Sequence, residues 1–282
     1  MTAILLLSCA DQKGLVAAIS NFISDNGGNI VNLDEHVDSD EKMFFIRVEW
    51  EIGGLQFGKD ELHSKFKSLA TKFSAKWKIE FKEEKPKLAI FVSKYDHALQ
   101  EILWRYKLGE FDVEITAIIS NHNDLSTLAD NYNIPFIHFP INKENKNEQE
   151  SKEVEVLKKL DVDLIVLARY MQILSADFVS KFPNKIINIH HSFLPAFIGS
   201  NPYKQAFERG VKMIGATSHF VTNDLDEGPI IAQDIVRISH KDSVKDLVRK
   251  GRDLERLVLA KALHSFLEHR VLVHKGKTIV FE

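Results

Sequence analysis

A single cysteine, Cys9, is present in the chain, which excludes an intrachain disulfide and any multi-cysteine metal site. A reducing compartment, the cytoplasm, is the expected home. Excess charge of one sign is also missing. Lys and Arg number 37 against 40 Asp and Glu, for a formal net charge of -3, so no broad basic field invites nucleic acid or anionic lipid. Long hydrophobic runs are absent, and none approaches the roughly 18 residues a membrane-spanning helix needs. The apolar start, residues 1–7, lacks a basic flank and is followed by Asp11 and Lys13, which argues against a signal peptide. What is present is ordinary for a globular protein: 44% apolar and 27% charged residues over a length of 282, enough for two domains that each bury a core.

Residues 1–83 read as strand, helix, strand, strand, helix, strand. Residues 3–8 are an apolar run of strand length, and residues 14–26 place Leu15, Ala18, Ile19, Phe22 and Ile23 on one helical face. The stretch Asn26-Gly27-Gly28-Asn29 stops that helix. Residues 30–37 and 43–50 flank a polar turn as a hairpin. Residues 59–73 repeat Leu62, Phe66, Leu69 and Phe73 at helical spacing, and 76–81 alternate as a last strand. This βαββαβ order is the ferredoxin-like split sandwich. Residues 84–86, ending a charged stretch at Pro86, form a linker.

From residue 87 to 282 the pattern changes. Short apolar runs at 88–92, 114–119, 164–168 and 186–189 alternate with helix-like stretches such as 98–106. Continuous apolar strands of this kind argue a Rossmann-like, mostly parallel α/β sheet covered on both faces. Residues 213–221 and 230–238 extend the sheet. Residues 142–152 read as a solvated loop leading into a helix, and 243–269 as a long final helix.

Two strand ends carry the chemistry. Ile187-Asn188-Ile189-His190-His191-Ser192-Phe193-Leu194-Pro195 runs an apolar strand into an amide, an imidazole and a turn. Asn188 and His190 are two residues apart and leave a strand on one face. An amide N–H₂ polarises a carbonyl oxygen without any proton transfer. Imidazole is the side chain suited to moving protons near neutral pH, so His190 can act as base, acid or oxyanion partner. The second strand end, from Thr217 to Pro229, closes on carboxylates where Gly-Pro forces a bend. A carboxylate there can orient the imidazole and a water. Asp224, Asp226 and Glu227 compete for that role, and spacing does not separate them. The competing structural readings are a histidine that packs at a strand end and an asparagine that caps a turn. His191 points away from His190 if the strand continues, to support the turn or to meet substrate. His219 stands behind the carboxylates, as support or as packing. No His-x-x-x-His or cysteine pair occurs, so no metal is expected.

These blocks resemble the folate-dependent formyltransferase family. Leu167-Ala168-Arg169-Tyr170-Met171-Gln172-Ile173-Leu174, Ile187-Asn188-Ile189-His190 and Leu225-Asp226-Glu227-Gly228-Pro229 follow the family's order, across most of residues 87–282. Residues 1–83 resemble the ACT regulatory fold through Asp11-Gln12-Lys13-Gly14-Leu15-Val16 and Asn26-Gly27-Gly28-Asn29-Ile30. An ACT domain ahead of such a domain, with the run from His191 to Phe197 intact, is similar to the members that hydrolyse 10-formyltetrahydrofolate to formate and tetrahydrofolate, in one-carbon and purine metabolism.

The resemblance implies Asp226 as the working carboxylate, and hence Asn188, His190 and Asp226 as the catalytic set. It implies a folate site with Met171, Gln172, Ile173 and Leu174 on one side. Val221, Thr222, Asn223, Asp224, Leu225 and Gly228 form the other, with His191 and His219 beside them. Folate is then the substrate, and no cofactor is implied. Arg169 either reaches the folate glutamate tail or lies solvated on the surface. The ACT resemblance implies a sheet with one open face and a homo-oligomer, dimer or tetramer. It also implies an amino acid bound near residues 11–14 and 26–29, where Gly14, Gly27 and Gly28 otherwise merely serve turns.

Family members that formylate glycinamide ribonucleotide carry a Gly-rich loop after the first strand of this domain, whose N–H groups hold the phosphate. Here that stretch is Val92-Ser93-Lys94-Tyr95-Asp96-His97-Ala98-Leu99. It has no glycine to admit the phosphate and adds a carboxylate to repel it, so water is the expected acceptor. Members that act on tRNA add a C-terminal barrel, whereas this chain reaches Glu282 after its last helix with negative net charge. Two rivals stand beside the hydrolase: a formyltransferase acting on a small amine such as glycinamide ribonucleotide, and a catalytically silent amino-acid sensor. Intact Asn188, His190 and Asp226 argue against the sensor.

Overall fold

The computed structural model describes residues 1–52, 59–196 and 201–282; Phe197, the last residue of the run that starts at His191, lies outside the described residues. Two units are distinguished. The first is Met1–Lys85 with Glu268–Leu272 and Ile279–Glu282, and the second is Pro86–Leu267 with Val273–Thr278. Against the expected boundaries of 1–83, 84–86 and 87–282, the end of the chain thus contributes to the first unit.

The first unit runs β1 (Thr2–Ala10), α1 (Leu15–Asp25), β2 (Asn29–Asp38), β3 (Met43–Glu51), α2 (Lys59–Lys72) and β4 (Lys76–Phe81), the expected order. Its sheet is arranged β2-β3-β1-β4, with β1 antiparallel to β3 and β4. Strand alternation gives the sheet two distinct faces. On one, Leu5, Leu7, Ile46, Val48 and Trp50 join Ile19 and Ile23 of α1 and Leu62 and Phe66 of α2 in a buried cluster. Each such side chain contributes about 1.5–3 kcal/mol.

The other face is not open, which corrects the expectation drawn from the ACT resemblance. Leu6 and Phe45 pack there with Leu272, Ile279 and Phe281. Arg47, fully buried, donates to the carbonyls of Glu268 and His269 at 3.1 Å and pairs with Glu49 at 2.9 Å. Without those partners its charge would be buried at a cost of several kcal/mol.

The second unit contains β5 (Lys87–Val92), α3 (His97–Lys107), β6 (Glu114–Ser120), α4 (Ser126–Asp130) and β7 (Phe136–His138). It continues with α5 (Lys146–Lys159), β8 (Leu164–Leu167), α6 (Ala176–Ser180), β9 (Ile186–His190) and α7 (Pro202–Arg209). The last large elements are β10 (Met213–Phe220), β11 (Ile230–Arg237) and α8 (Val244–Leu267). The expected final helix over 243–269 therefore ends earlier, and a hairpin of β12 (Val271–His274) and β13 (Lys277–Val280) follows it. Three-residue β7 and five-residue α4 and α6 are too short for hydrophobic periodicity to reveal.

The seven strands are ordered β11-β10-β9-β8-β5-β6-β7. The run from β9 through β7 is parallel, and β10 is antiparallel to both β9 and β11. Strand order reverses beside β5, and the crevice at the carboxyl ends of the strands around such a switch is where α/β sheets bind ligands. Ser93, just past β5, ties this region together. Its hydroxyl donates to Asn121 Oδ1 at 2.7 Å and accepts from Met171 N at 2.9 Å. Among the described residues no helix is long and apolar enough to cross a membrane.

Candidate active site

A cavity of about 560 Å³ opens at this crevice, lined by Asn188, His190, His219 and Asp226 among others. β9 delivers Asn188 and His190, and antiparallel β10 sets His219 directly opposite Asn188. β9 stops at His190. His191 is therefore not carried to the far face, as a continuing strand would require, and it lines the same cavity.

Asp226 arrives through a loop that folds back sharply after β10. A Cβ on Gly228 would lie 1.7 Å from the Phe220 carbonyl oxygen, so only glycine permits this approach. Asp226 itself adopts φ 58°, a left-handed conformation uncommon outside glycine but tolerated by Asp. Of the three competing carboxylates, Asp226 meets His190, with Oδ2 3.2 Å from Nδ1. Its Oδ1 lies 3.7 Å from Nε2 of His219.

Hydrogen bonding fixes the tautomers. His219 Nδ1 faces the Phe220 carbonyl at 2.9 Å, and a carbonyl only accepts, so Nδ1 carries the hydrogen. In the neutral ring Nε2 then accepts from the Asn188 amide at 3.3 Å, which leaves that amide a second N–H. Burial would raise the Asp226 carboxyl, but the hydrogen bond from His190 outweighs it and holds the group well below the usual carboxylate range. With Nδ1 of His190 turned to that charge, its Nε2 is buried without a partner among the described residues. His191 is pushed down to about 4 by burial and by the charge of Arg169, so it stays neutral.

The expected folate-binding residues divide. Met171, Gln172, Ile173, Leu174, Val221, Thr222, Asn223 and Leu225 line the cavity. Asp224 and Gly228 do not; the Asp224 carbonyl accepts from the Thr222 hydroxyl at 3.1 Å, and Gly228 serves the bend. The loop holding Met171 to Leu174 is pinned at both ends. Lys146 donates to the Ile173 carbonyl, and Ser175 N donates to Glu150 at 3.1 Å. Behind it the Tyr170 hydroxyl donates to Glu153 at 3.3 Å, and burial pushes the Glu153 carboxyl up to about 8.

One group of cavity residues escapes sequence reasoning. Arg169 is not solvated, because its side chain is only 10% exposed and its Nε lies 3.3 Å from Glu255 Oε2, without the alignment of a hydrogen bond. Glu255 also accepts from His97 Nε2 at 2.8 Å and from the Tyr203 hydroxyl. The available signal was periodicity: Gly251, Leu254, Glu255, Val258 and Leu259 share the buried face of α8, and a carboxylate on such a face demands partners. Among the described residues no group of three or more His, Cys, Asp and Glu is placed to hold a metal ion.

The formyl transferase family model matches residues 86–263, and the ACT domain model matches residues 3–49. A formyltetrahydrofolate deformylase of Synechocystis sp. is 55% identical, with 100% of this chain and 99% of the relative covered. The crystal structure of a formyltetrahydrofolate deformylase from Pseudomonas syringae pv. tomato matches with a TM-score of 0.97 at 42% identity, covering 100% of this chain and 94% of that one. Glycinamide ribonucleotide transformylase 1 from Symbiobacterium toebii matches with a TM-score of 0.67 at 31% identity, covering 70% of this chain and 95% of its own. Likeness at this level over the full length of both partners, on a chain that joins an ACT domain to a formyl transferase domain, means that the protein belongs to the formyltetrahydrofolate deformylase family.

Proposed function

We propose that the protein hydrolyses 10-formyltetrahydrofolate to formate and tetrahydrofolate at the cavity holding Asn188, His190 and Asp226. The observation that carries this reading is the His190–Asp226 pair at 3.2 Å, with the opposite ring nitrogen of His190 unpartnered among the described residues and Asn188 lining the same cavity. The formyl oxygen accepts from the second N–H of Asn188, which strengthens as negative charge builds on that oxygen. His190 Nε2 takes a proton from the attacking water and returns it to the leaving nitrogen, while Asp226 stabilises the imidazolium. Met171 to Leu174, Val221 to Asn223 and Leu225 hold the folate rings. Neither metal nor cofactor takes part, so chelator leaves the rate unchanged. Incubation with 10-formyltetrahydrofolate and no acceptor tests the reading. Formate release well above buffer supports it, whereas a rate no faster than buffer overturns it in favour of a transferase or a silent sensor.

The protein works in the cytoplasm as a homo-oligomer, dimer or tetramer, with an amino acid bound at the ACT domain near residues 11–14 and 26–29. Support for assembly comes from β2, an edge strand that exposes Val31, Leu33 and Val37, a liability unless covered. Gly28 speaks less for a ligand, since a Cβ there would meet Trp50 and Ile23 at 2.7 and 2.8 Å and packing alone requires glycine. Light scattering of the intact protein and an assay with a panel of amino acids test both parts. A monomer removes the assembly, and indifference to every amino acid removes the effector.

A further inference from the structure

Hydrolysis and formyl transfer act on the same carbonyl and expel the same nitrogen, and they differ in the nucleophile that reaches the carbon. The transformylase from Symbiobacterium toebii has the fold of this second unit, and its name makes glycinamide ribonucleotide its substrate. A hydrolase on that fold must admit water beside its imidazole and refuse a larger amine.

A continuous row of side chains leads away from His190 along the cavity wall. The His190 and His191 rings are 5.1 Å apart, and His191 meets Tyr203 edge-on at 6.0 Å. Tyr203 donates to Glu255, which also holds His97 and Arg169. The Arg169 guanidinium lies 5.2 Å from the Tyr95 ring centre and that of Arg252 lies 5.3 Å from the same ring, a double cation–π contact. Tyr95, Arg169, His191, Tyr203, Arg252 and Glu255 all line the cavity.

This row is built rather than incidental. Glu255 is 1% exposed, and both of its oxygens are engaged. One helical turn earlier, a Cβ on Gly251 would lie 2.1 Å from the Tyr203 hydroxyl oxygen, so glycine is what lets the phenol lie across α8 and reach the carboxylate. Burying a carboxylate with its partners stabilises a fold little compared with apolar packing, so stability does not account for it. Burial opposes the charge on Glu255, but the bond from His97, the Arg169 charge and the Tyr203 bond outweigh it and hold the carboxyl below its ordinary value. The group thus stays an anion that clamps three large side chains.

We infer that Glu255 is a specificity-determining residue, anchoring Tyr203, Arg169 and His97 as a wall that leaves room for water next to His190 and shuts out amine acceptors. The inference rests on the proposed hydrolysis. In the wild-type protein the water oxygen bonds to the formyl carbon, the carbon–nitrogen bond to the folate breaks, that nitrogen takes a proton, and formate leaves. With the wall removed, an amine nitrogen forms the new bond instead and gives a proton to His190. The same bond to the folate breaks, its nitrogen is protonated, and the product is an N-formyl amine.

Wild type, Glu255→Ala, Tyr203→Ala and Tyr203→Phe are each given 10-formyltetrahydrofolate with millimolar glycinamide, and N-formylglycinamide and formate are counted together by NMR. The wild type should form N-formyl product no faster than buffer while releasing formate, and both alanine variants should raise the ratio of N-formyl product to formate at least tenfold above the wild type. Tyr203→Phe, which keeps the ring but loses its bond to Glu255, should fall between the wild type and Tyr203→Ala. Because Glu255→Ala leaves Arg169 buried without its partner, the Tyr203 variants carry the test if that protein does not fold. An unchanged ratio in a Tyr203→Ala protein that melts cooperatively and still binds folate overturns the inference. Absence of formate from the wild type overturns the hydrolase reading itself, a distinct result.

Discussion

Oδ2 of Asp226 stands 3.2 Å from Nδ1 of His190, and this pairing depends on a backbone that few side chains accept. Asp226 holds φ 58°, and a residue so placed costs on the order of 1 kcal/mol or more. The conformation persists because Gly228 lets the loop close against Phe220 and because two imidazoles face the resulting carboxylate. Strain at this position is offset by the charge interactions it creates.

Replacing Asp226 with Asn keeps the shape and removes the charge. Formate release from 10-formyltetrahydrofolate should fall by roughly 10³-fold or more, as when a histidine loses its carboxylate partner, while folate affinity stays within a few fold. Steady-state kinetics with a fluorescence titration checks both. Turnover near wild type would move the role to another carboxylate.

Asn188→Ala removes the amide that faces both His219 and the cavity. Turnover should drop by about 10²–10³-fold, with little change in melting temperature. A variant that instead loses stability while its folded fraction keeps full activity would make Asn188 a structural cap.

Glu153 makes stability depend on pH. Its folded carboxyl is raised from 4.5 to about 8, so the folded state binds a proton that the unfolded chain releases. That contribution is fully present below pH 4.5 and is lost as pH rises through about 8. Across this window the melting temperature of the wild type should fall more steeply than that of Glu153→Gln, which keeps a polar group near the Tyr170 hydroxyl without titrating. Parallel curves by calorimetry would refute the assignment.

Gly228→Ala puts a methyl group 1.7 Å from the Phe220 carbonyl oxygen and 3.3 Å from Nδ1 of His219. The loop has to move, so stability should drop by about 1–3 kcal/mol or more and hydrolysis should fall with it. Thermal melts and formate release measured on one preparation check this, and an alanine variant with wild-type values in both would contradict the close contact.

Much of this architecture was legible from local pattern. The βαββαβ order was readable from features such as the apolar run of Ala3 to Ser8, the helical spacing of Leu15, Ile19 and Ile23, and the breaks at Gly27 and Gly28. Asn188 and His190 could be placed on one strand face because the side-chain period of a strand is two. Arg169 could not be placed in the same way. Its burial against Glu255 follows from where α8 packs, and no local pattern around Arg169 encodes that packing. The covered face of the first sheet was hidden for the same reason, since Arg47 and the His269 carbonyl it binds are 222 positions apart.

By itself, then, the sequence determined two α/β units, the absence of disulfide chemistry, the strand that bears Asn188 and His190, and the short list of carboxylates able to join them. These follow from periodicity, composition and turn residues, which act over a few positions. Only the tertiary structure decided how Asp226, the carboxylate the family resemblance implies, comes to meet His190, that His191 turns into the cavity, and that Glu255 gathers His97, Arg169 and Tyr203 in its wall. Those outcomes depend on the direction a chain takes after a tight turn and on the packing of helices against a sheet. A rotation of one residue redirects a side chain entirely, and contacts between distant segments set that rotation.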